Sequence, residues 1–309
     1  MIRLNPVLPN SSRRVIDYKV YSESNLVLYR ANQDGAFSWE LFASSIEGTN
    51  NWQVHPDFSY VNGSVGKYDF SPEQGKVVYV ANAEIGTKGE IFAINTDGSN
   101  NQKLNPAMTN ANAYIFSFQL TSDGSQVVFY GDTDTDEAND LHVVNIDGSN
   151  PRKITPTLPV NVKGVSKFNF IDDNRIVFES DHLSSGRSEL FITPLDAPLL
   201  QKISNFSVNT DLLLDWEVGP DRESILIHFL SLQAPFHKLL KMSLNGDIVF
   251  ELTPEIEFDY LQYQFDSLGN IFVLERNLAS GWSALTKYNP DGSLHTRLVP
   301  KSLGAQISS

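Results

Sequence analysis

Four aspartates within nine residues form the most chemically suggestive cluster in this sequence. They are Asp132, Asp134, Asp136 and Asp140. Aspartates at alternating positions of a loop direct several carboxylate oxygens to one side, and Ca²⁺ takes about 6–8 oxygen ligands. These residues are therefore candidate calcium ligands, with only part of the required set visible. The competing interpretation is a solvated acidic hairpin loop in an acidic protein.

Six polar residues at regular intervals make a second candidate site. They are Lys19, Asp69, Gln119, Asn169, Glu217 and Gln264. Each follows an aromatic residue, and the six aromatics are Tyr18, Tyr68, Phe118, Phe168, Trp216 and Tyr263. An apolar residue comes next each time, which is the period-two alternation of a β-strand. Whether the six polar side chains meet depends on how these strands are arranged.

A third set recurs at the start of another predicted strand. Its members are Glu40, Glu90, Asp140 and Glu189. Repeated catalytic acids would be redundant, so we expect these residues to be structural, through packing or hydrogen bonds to the adjacent repeat.

Composition excludes several other kinds of chemistry. Cysteine is absent, which removes disulfides, thiolate catalysis and cysteine metal sites. The six histidines share no repeat position and form no H-E-x-x-H pair. A net charge of -14 disfavours binding to nucleic acid and to anionic membrane surfaces. No apolar run reaches the roughly 18 residues that would predict a transmembrane helix.

The elements behind these positions belong to a repeat of about fifty residues. Its clearest marks are the turns Asp97-Gly98-Ser99, Asp147-Gly148-Ser149 and Asp291-Gly292-Ser293. Asp-Gly between apolar runs is a strong hairpin signal, because such turns need positive φ. A second hairpin lies upstream, where Ser71–Gly75 precedes the apolar run Val77–Val80. Each unit therefore contains four short strands.

A meander of four strands buries its faces poorly alone, whereas radial stacking of such sheets buries both faces. The sequence thus predicts an all-β fold, a six-bladed β-propeller of four-stranded antiparallel blades. A β-sandwich would not explain the fifty-residue step. Inner strands line the central channel of a propeller, so the six polar residues would converge on a ligand there. Alternatively, they hydrate the channel or bond to neighbouring blades.

We expect one propeller domain over residues 1–309. The predicted blades are 15–58, 64–108, 115–158, 165–206, 212–254 and 260–301. The segment Arg3-Leu4-Asn5-Pro6 matches Lys103-Leu104-Asn105-Pro106, a predicted fourth strand. Residues 2–6 are therefore a candidate closing strand of the ring, unless Leu294–Val299 already completes the sixth blade.

The turn Ser71–Gly75, the turn Asp97–Asn100 and the segment Lys103–Pro106 together resemble the repeat of the TolB-like six-bladed propeller family. The copy from Phe118 to Pro156 matches most closely. The resemblance covers essentially the whole chain. It implies the fold and a bacterial protein that is periplasmic or secreted. No signal peptide opens the chain, so a cytoplasmic location stays open.

The same repeat occurs in the propellers of prolyl-oligopeptidase-type peptidases and in some polysaccharide lyases. Such peptidases need a hydrolase domain with a G-x-S-x-G motif, which this sequence lacks. We therefore expect a non-catalytic binding scaffold that recognises a protein or glycan through one face, alone or as a module of a larger protein. The alternative is a lyase or hydrolase with a site over the central channel mouth. Two carboxylates or histidines within hydrogen-bond reach in a pocket would favour the enzyme.

Overall fold

A computed structural model of the chain describes residues 2–8, 10, 12–33, 38–134, 138–159, 161–197, 199–204, 211–231, 236–252, 260–276 and 283–299. Apart from a 3-10 turn at Ser22–Ser24, the regular elements of these residues are β-strands. None of the described residues forms a helix long and apolar enough to cross a membrane. The chain divides into two compact units, Met1–Val165 and Ser166–Ser309.

Each unit contains three antiparallel sheets of four strands, and in every sheet the strand order follows the chain. The first unit contains β1 (Val15–Tyr21), β2 (Leu26–Ala31), β3 (Glu40–Ser44), β4 (Asn51–Gln53), β5 (Val65–Ser71), β6 (Lys76–Ala81), β7 (Glu90–Asn95), β8 (Gln102–Lys103), β9 (Ile115–Leu120), β10 (Gln126–Gly131), β11 (Asp140–Asn145) and β12 (Arg152–Lys153). The second contains β13 (Val165–Phe170), β14 (Arg175–Ser180), β15 (Glu189–Pro194), β16 (Gln201–Lys202), β17 (Asp211–Val218), β18 (Ser224–Ser231), β19 (Phe236–Ser243), β20 (Ile248–Leu252), β21 (Tyr260–Phe265), β22 (Ile271–Arg276), β23 (Ser283–Tyr288) and β24 (Leu294–Val299). The prediction of an all-β, six-bladed propeller with four-stranded antiparallel blades is confirmed.

The recurring Asp-Gly-Ser turns join the third and fourth strands of their blades. Gly98 has φ +84° and Gly148 has φ +78°, as the hairpin type requires. The Ser99 backbone N–H donates to Asp97 Oδ1 at 2.9 Å. An equivalent bond of 2.9 Å joins the Ser149 N–H to Asp147. The aspartate thus fixes the turn locally, which explains why this short signature recurs.

Within each unit, the faces of a blade are buried against the neighbouring blades. In the second blade, Val77 and Tyr79 pack with residues of the first blade, while Val78 packs with residues of the third. In the fifth blade, Ile227 packs towards the fourth and Leu226 towards the sixth. Successive residues point to opposite faces, so central strands covered on both faces are continuously apolar.

Three of the four recurring acidic residues form an ion pair with a lysine of the fourth strand, whereas the first blade has Gln53 at the lysine position. The pairs are Glu90–Lys103 at 2.9 Å, Asp140–Lys153 at 2.6 Å and Glu189–Lys202 at 3.0 Å. The expected structural role is therefore confirmed. Their ion-pair partners lie in the same blade, however, and not in the adjacent one.

The residue directly after each acid donates its backbone N–H to a side chain that lies 14 residues further along the chain. The bonds are Leu41 N–H to His55 Nε2 at 3.1 Å, Ile91 N–H to Asn105 Oδ1 at 2.9 Å, Leu141 N–H to Thr155 Oγ1 at 3.1 Å and Leu190 N–H to Ser204 Oγ at 2.8 Å. Four residue types serve one purpose, because a buried N–H needs an acceptor of any kind. This conserved geometry was hidden from the sequence pattern.

The N-terminal segment packs on the first blade without forming a strand. Residues 2–8 have no strand assignment, and the Asn51 side chain donates to the Leu4 carbonyl at 2.9 Å. The fourth strand of the sixth blade is Leu294–Val299. Leu294–Val299 thus completes the sixth blade, while a role of residues 2–6 in closing the ring stays a prediction.

Replacing Gly164 by alanine is expected to destabilise the protein more than replacing Gly75. Both glycines have positive φ, +77° and +61°, which disfavours alanine by roughly 1–2 kcal/mol. A Cβ at Gly164 would also lie 2.2 Å from the Asn139 carbonyl oxygen, whereas a Cβ at Gly75 meets nothing within 4 Å. Urea unfolding of both variants measures the difference. Equal losses would show that the Asn139 contact relaxes freely.

Candidate functional site

The predicted polar residues of the first unit bond across neighbouring blades. Lys19 Nζ lies 3.2 Å from Asp69 Oδ2, and the Tyr21 hydroxyl donates to Asp69 Oδ1 at 2.7 Å. Asp69 and Gln119 also line one cavity of about 410 Å³. In the second unit, Asn169 lies on β13 and Glu217 on β17, while Gln264 lines a larger cavity. Convergence of all six on one ligand stays a prediction.

The proposed calcium ligands are engaged with protein groups where they are described. Asp132 Oδ1 accepts from the Tyr114 N–H at 2.5 Å, and Asp140 is paired with Lys153 and with the Thr155 hydroxyl. Asp134 lies in the loop, and Asp136 lies outside the described residues. Within the described part of the chain, no group of three or more His, Asp or Glu side chains is arranged to hold a metal ion. Calcium binding stays a prediction.

The larger cavity, of about 550 Å³, lies in the second unit. Its described lining comes from the fifth and sixth blades and consists of Asp215, His228, Gln262, Tyr263, Gln264, Phe272, Leu274 and Leu285. Binding sites for small ligands usually measure about 300–1,000 Å³ and combine apolar walls with a few polar groups. We call this space the β21 cavity, because three of its residues belong to that strand.

Strand pairing shows how the β21 cavity is placed. Gln262 pairs with Leu274 and Gln264 pairs with Phe272, so these four side chains share one face of the sixth blade. Tyr263 points to the opposite face. Residues from both faces of β21 line the β21 cavity. The cavity therefore extends past an edge of this strand. In its sheet, β21 pairs with β22 alone among the described strands, which leaves one strand edge beside the cavity.

A charged network lies at the fifth-blade wall of the cavity. Lys167 Nζ donates to Asp215 Oδ1 and to the Trp216 carbonyl, both at 2.5 Å. Burial opposes ionisation of Asp215, but the hydrogen bond from Lys167 keeps its pKa below the ordinary value. Burial raises the pKa of Glu217. Asp215 is therefore charged and already compensated at neutral pH.

Two histidines lie beside this network. His228 Nε2 is 2.9 Å from His237 Nδ1, and the His228 ring meets the Tyr263 ring edge to face with centroids 5.9 Å apart. Burial, followed by the neighbouring His237, lowers the pKa of His228 to about 4. The His228 ring is thus neutral at pH 7 and can both donate and accept hydrogen bonds.

The Tyr263 hydroxyl is buried and interacts with the Asp215 carboxylate as a hydrogen-bond donor. Burial, and then the nearby Asp215 charge, raise its pKa well above the ordinary value, so it remains a protonated donor. The described lining contains no serine or threonine hydroxyl. The polar groups of this lining can donate and accept hydrogen bonds.

Sequence reasoning selected Tyr263 and Gln264 but missed Asp215, His228 and Gln262. Asp215 and Gln262 directly precede two of the repeated aromatics. Residue types vary at this repeat position, so no pattern marks it as a candidate site. His228 and His237 lie on the paired strands β18 and β19. Pairing those two apolar strands as a hairpin would have brought the histidines close.

No family model and no curated protein matches this sequence. Solved structures do match its fold. A prolyl endopeptidase structure aligns with a TM-score of 0.64 and 12% identity, over 95% of this chain and 43% of that chain. Oligopeptidase B from Leishmania major gives 0.63 and 12%, over 97% and 42%. Prolyl oligopeptidase B from Galerina marginata, bound to a 25mer macrocyclization substrate, gives 0.62 and 10%, over 99% and 45%.

The chain spans less than half the length of these structures, and the likeness is to their propeller domains. They support the propeller part of the sequence resemblance, while no match supports the TolB-like label. The prediction of a non-catalytic binding scaffold is wrong in view of these neighbours, which are peptidases. The hydrolase alternative agrees better with them, and the chain is, as to fold, a β-propeller of the kind found in prolyl oligopeptidases.

Proposed function

We propose that this chain is the propeller part of a peptide hydrolase, in which it receives the peptide while a separate hydrolytic unit cleaves it. The fold match supports this proposal, because it covers 95–99% of this chain and less than half of each peptidase chain. One of these structures is described in terms of inter-domain dynamics in catalysis and specificity. We infer that the propeller would contribute to substrate selection in such an enzyme.

The residues explain why we assign peptide binding to this chain and hydrolysis to a separate unit. The sequence has no G-x-S-x-G motif, and the described lining of the β21 cavity offers hydrogen bonds but no hydroxyl nucleophile apart from a tyrosine. His228 lines the β21 cavity and lies 2.9 Å from His237, which is not among the described lining residues. The periplasmic or secreted location stays a proposal that rests on the sequence resemblance.

Material purified through a tag on this chain from its native cells is expected to hydrolyse fluorogenic peptide amides with proline at the cleaved bond. Hydrolysis should stop on treatment with a fluorophosphonate, which labels serine-hydrolase nucleophiles. The isolated 309-residue chain should take no label, because it lacks the motif. Eluate from cells carrying the tag alone is the control.

Two results would contradict the proposal. Inactive eluate from native cells would remove the link to a hydrolase. Label and turnover on the isolated chain would place the chemistry within these residues and refute the division of labour.

A further inference from the structure

An edge strand beside a cavity presents backbone hydrogen-bonding groups in addition to its side chains. β21 is the first strand of its sheet, and among the described strands it pairs with β22 alone. The backbone N–H and C=O groups on its other edge need partners. Extended peptides commonly bind by adding a strand to such an edge, with their side chains in adjacent pockets.

The side chains around this edge are mostly neutral hydrogen-bonding groups. Gln262 and Gln264 are exposed, and each amide supplies both a donor and an acceptor. The Tyr263 hydroxyl is buried and directed to the Asp215 carboxylate, so the two glutamine amides are the accessible polar groups of β21. The neutral His228 ring adds a further group that donates or accepts.

Spacing on β21 matches the repeat of an extended peptide. Gln262 and Gln264 are two residues apart on one face, which corresponds to about 6.6 Å along a strand. An extended peptide beside β21 has the same repeat, so alternate peptide groups would meet the two amides in register. Leu274 and Leu285 provide an apolar floor for a small side chain.

Two other ligand classes fit less well. A charged ligand finds Asp215 already compensated by Lys167 at 2.5 Å. A saccharide would stack on an aromatic face, but Lys287 Nζ lies over the Phe272 ring, 5.8 Å from its centroid. The Tyr263 ring is engaged edge to face with His228.

We propose that the β21 cavity binds a short, uncharged stretch of extended peptide, which pairs with the free edge of β21 and exchanges hydrogen bonds with the Gln262 and Gln264 amides. Under the proposed function, this stretch belongs to the substrate. The inference rests on that function for the origin of the peptide, whereas binding itself needs only this chain.

The test uses the purified full chain and an acetylated, C-terminally amidated hexapeptide of alternating alanine and glycine. Titration followed by ¹H–¹⁵N NMR is expected to show saturable shifts at Gln262, Tyr263 and Gln264, with a dissociation constant on the order of 1 mM or tighter. Gln262→Leu should weaken binding about fivefold, as expected for one neutral hydrogen bond. Gln264→Leu, at an exposed position, should also weaken it.

Matched controls separate recognition from folding. Gln201→Leu removes another exposed amide, one that lies on β16 outside the cavity lining, and should leave binding unchanged. The same hexapeptide with a central amide replaced by an ester should bind more weakly if the backbone pairs with β21.

The proposal is overturned if the hexapeptide produces no shifts on β21, if Gln262→Leu and Gln264→Leu both bind like the native chain, or if maltohexaose binds there and the peptide does not. The two proposals can fail separately. Peptide binding together with inactive native eluate refutes only the hydrolase function. Active eluate without peptide binding refutes only the β21 site.

Discussion

Replacement of Trp216 by alanine is expected to lower the free energy of unfolding by about 3–5 kcal/mol. Trp216 is 1% exposed and is among the largest fully buried side chains of the described residues. It packs with Val177 and Leu190 of the fourth blade and with Ile227 of its own, so truncation leaves a cavity between two blades. Urea unfolding followed by circular dichroism measures the loss of stability. Fluorescence is less suitable, because the variant lacks the Trp216 signal of the native chain.

Trp216→Phe is the matched control and should lose clearly less stability, since a ring still fills most of the space. It also removes the indole N–H that donates to Glu179 at 3.1 Å. A loss below about 1 kcal/mol in Trp216→Ala would show that the two blades close over the gap.

The sequence predicted the strand of Trp216 correctly but could not predict the burial of each aromatic. Tyr68, Phe118, Phe168 and Trp216 are at most 4% exposed, whereas Tyr18 is 70% exposed. Period-two alternation assigns a residue to a face of its strand. Burial depends on what covers that face, and alternation carries no information about it.

Lowering the pH from 6.5 to 4 is expected to destabilise the protein by up to roughly 3 kcal/mol through His142 alone. Burial, followed by the charge of Lys153, lowers the pKa of His142 to about 4. Its ring is 5% exposed, stacks on Phe129 and lies 3.2 Å from the Thr133 hydroxyl. The unfolded chain binds a proton at about pH 6.5 and the folded chain only near 4. The contribution is therefore fully present above pH 6.5 and is lost as the pH falls through 4.

Urea unfolding of the native chain and of His142→Gln at pH 7.5, 5.5 and 4.5 measures this contribution. The variant should lose less stability than the native chain over this range. His182→Gln is a useful comparison, because His182 is also buried and its pKa is also lowered, by burial. Parallel curves for the native chain and His142→Gln would show that His142 protonates without penalty.

The candidate site was less predictable than the fold for a physical reason. Turn chemistry and alternation are local, so Asp97-Gly98-Ser99 and its copies were visible in the sequence. The β21 cavity depends on contacts between blades and on a register shift between Leu213 and Asp215 in β17. A one-residue shift in strand register moves the following side chains to the other face of the strand. The period-two pattern of the sequence does not predict such a shift.

The acid–lysine pairs have an evolutionary consequence. Each closes within a single blade, as does the backbone bond to the varying acceptor beside it. A gene segment that encodes one blade therefore encodes both partners of its ion pair. Duplication or loss of that segment leaves the ion pairs of the other blades intact. Selection can then change the number of blades by whole copies, while the apolar contacts between them absorb the adjustment.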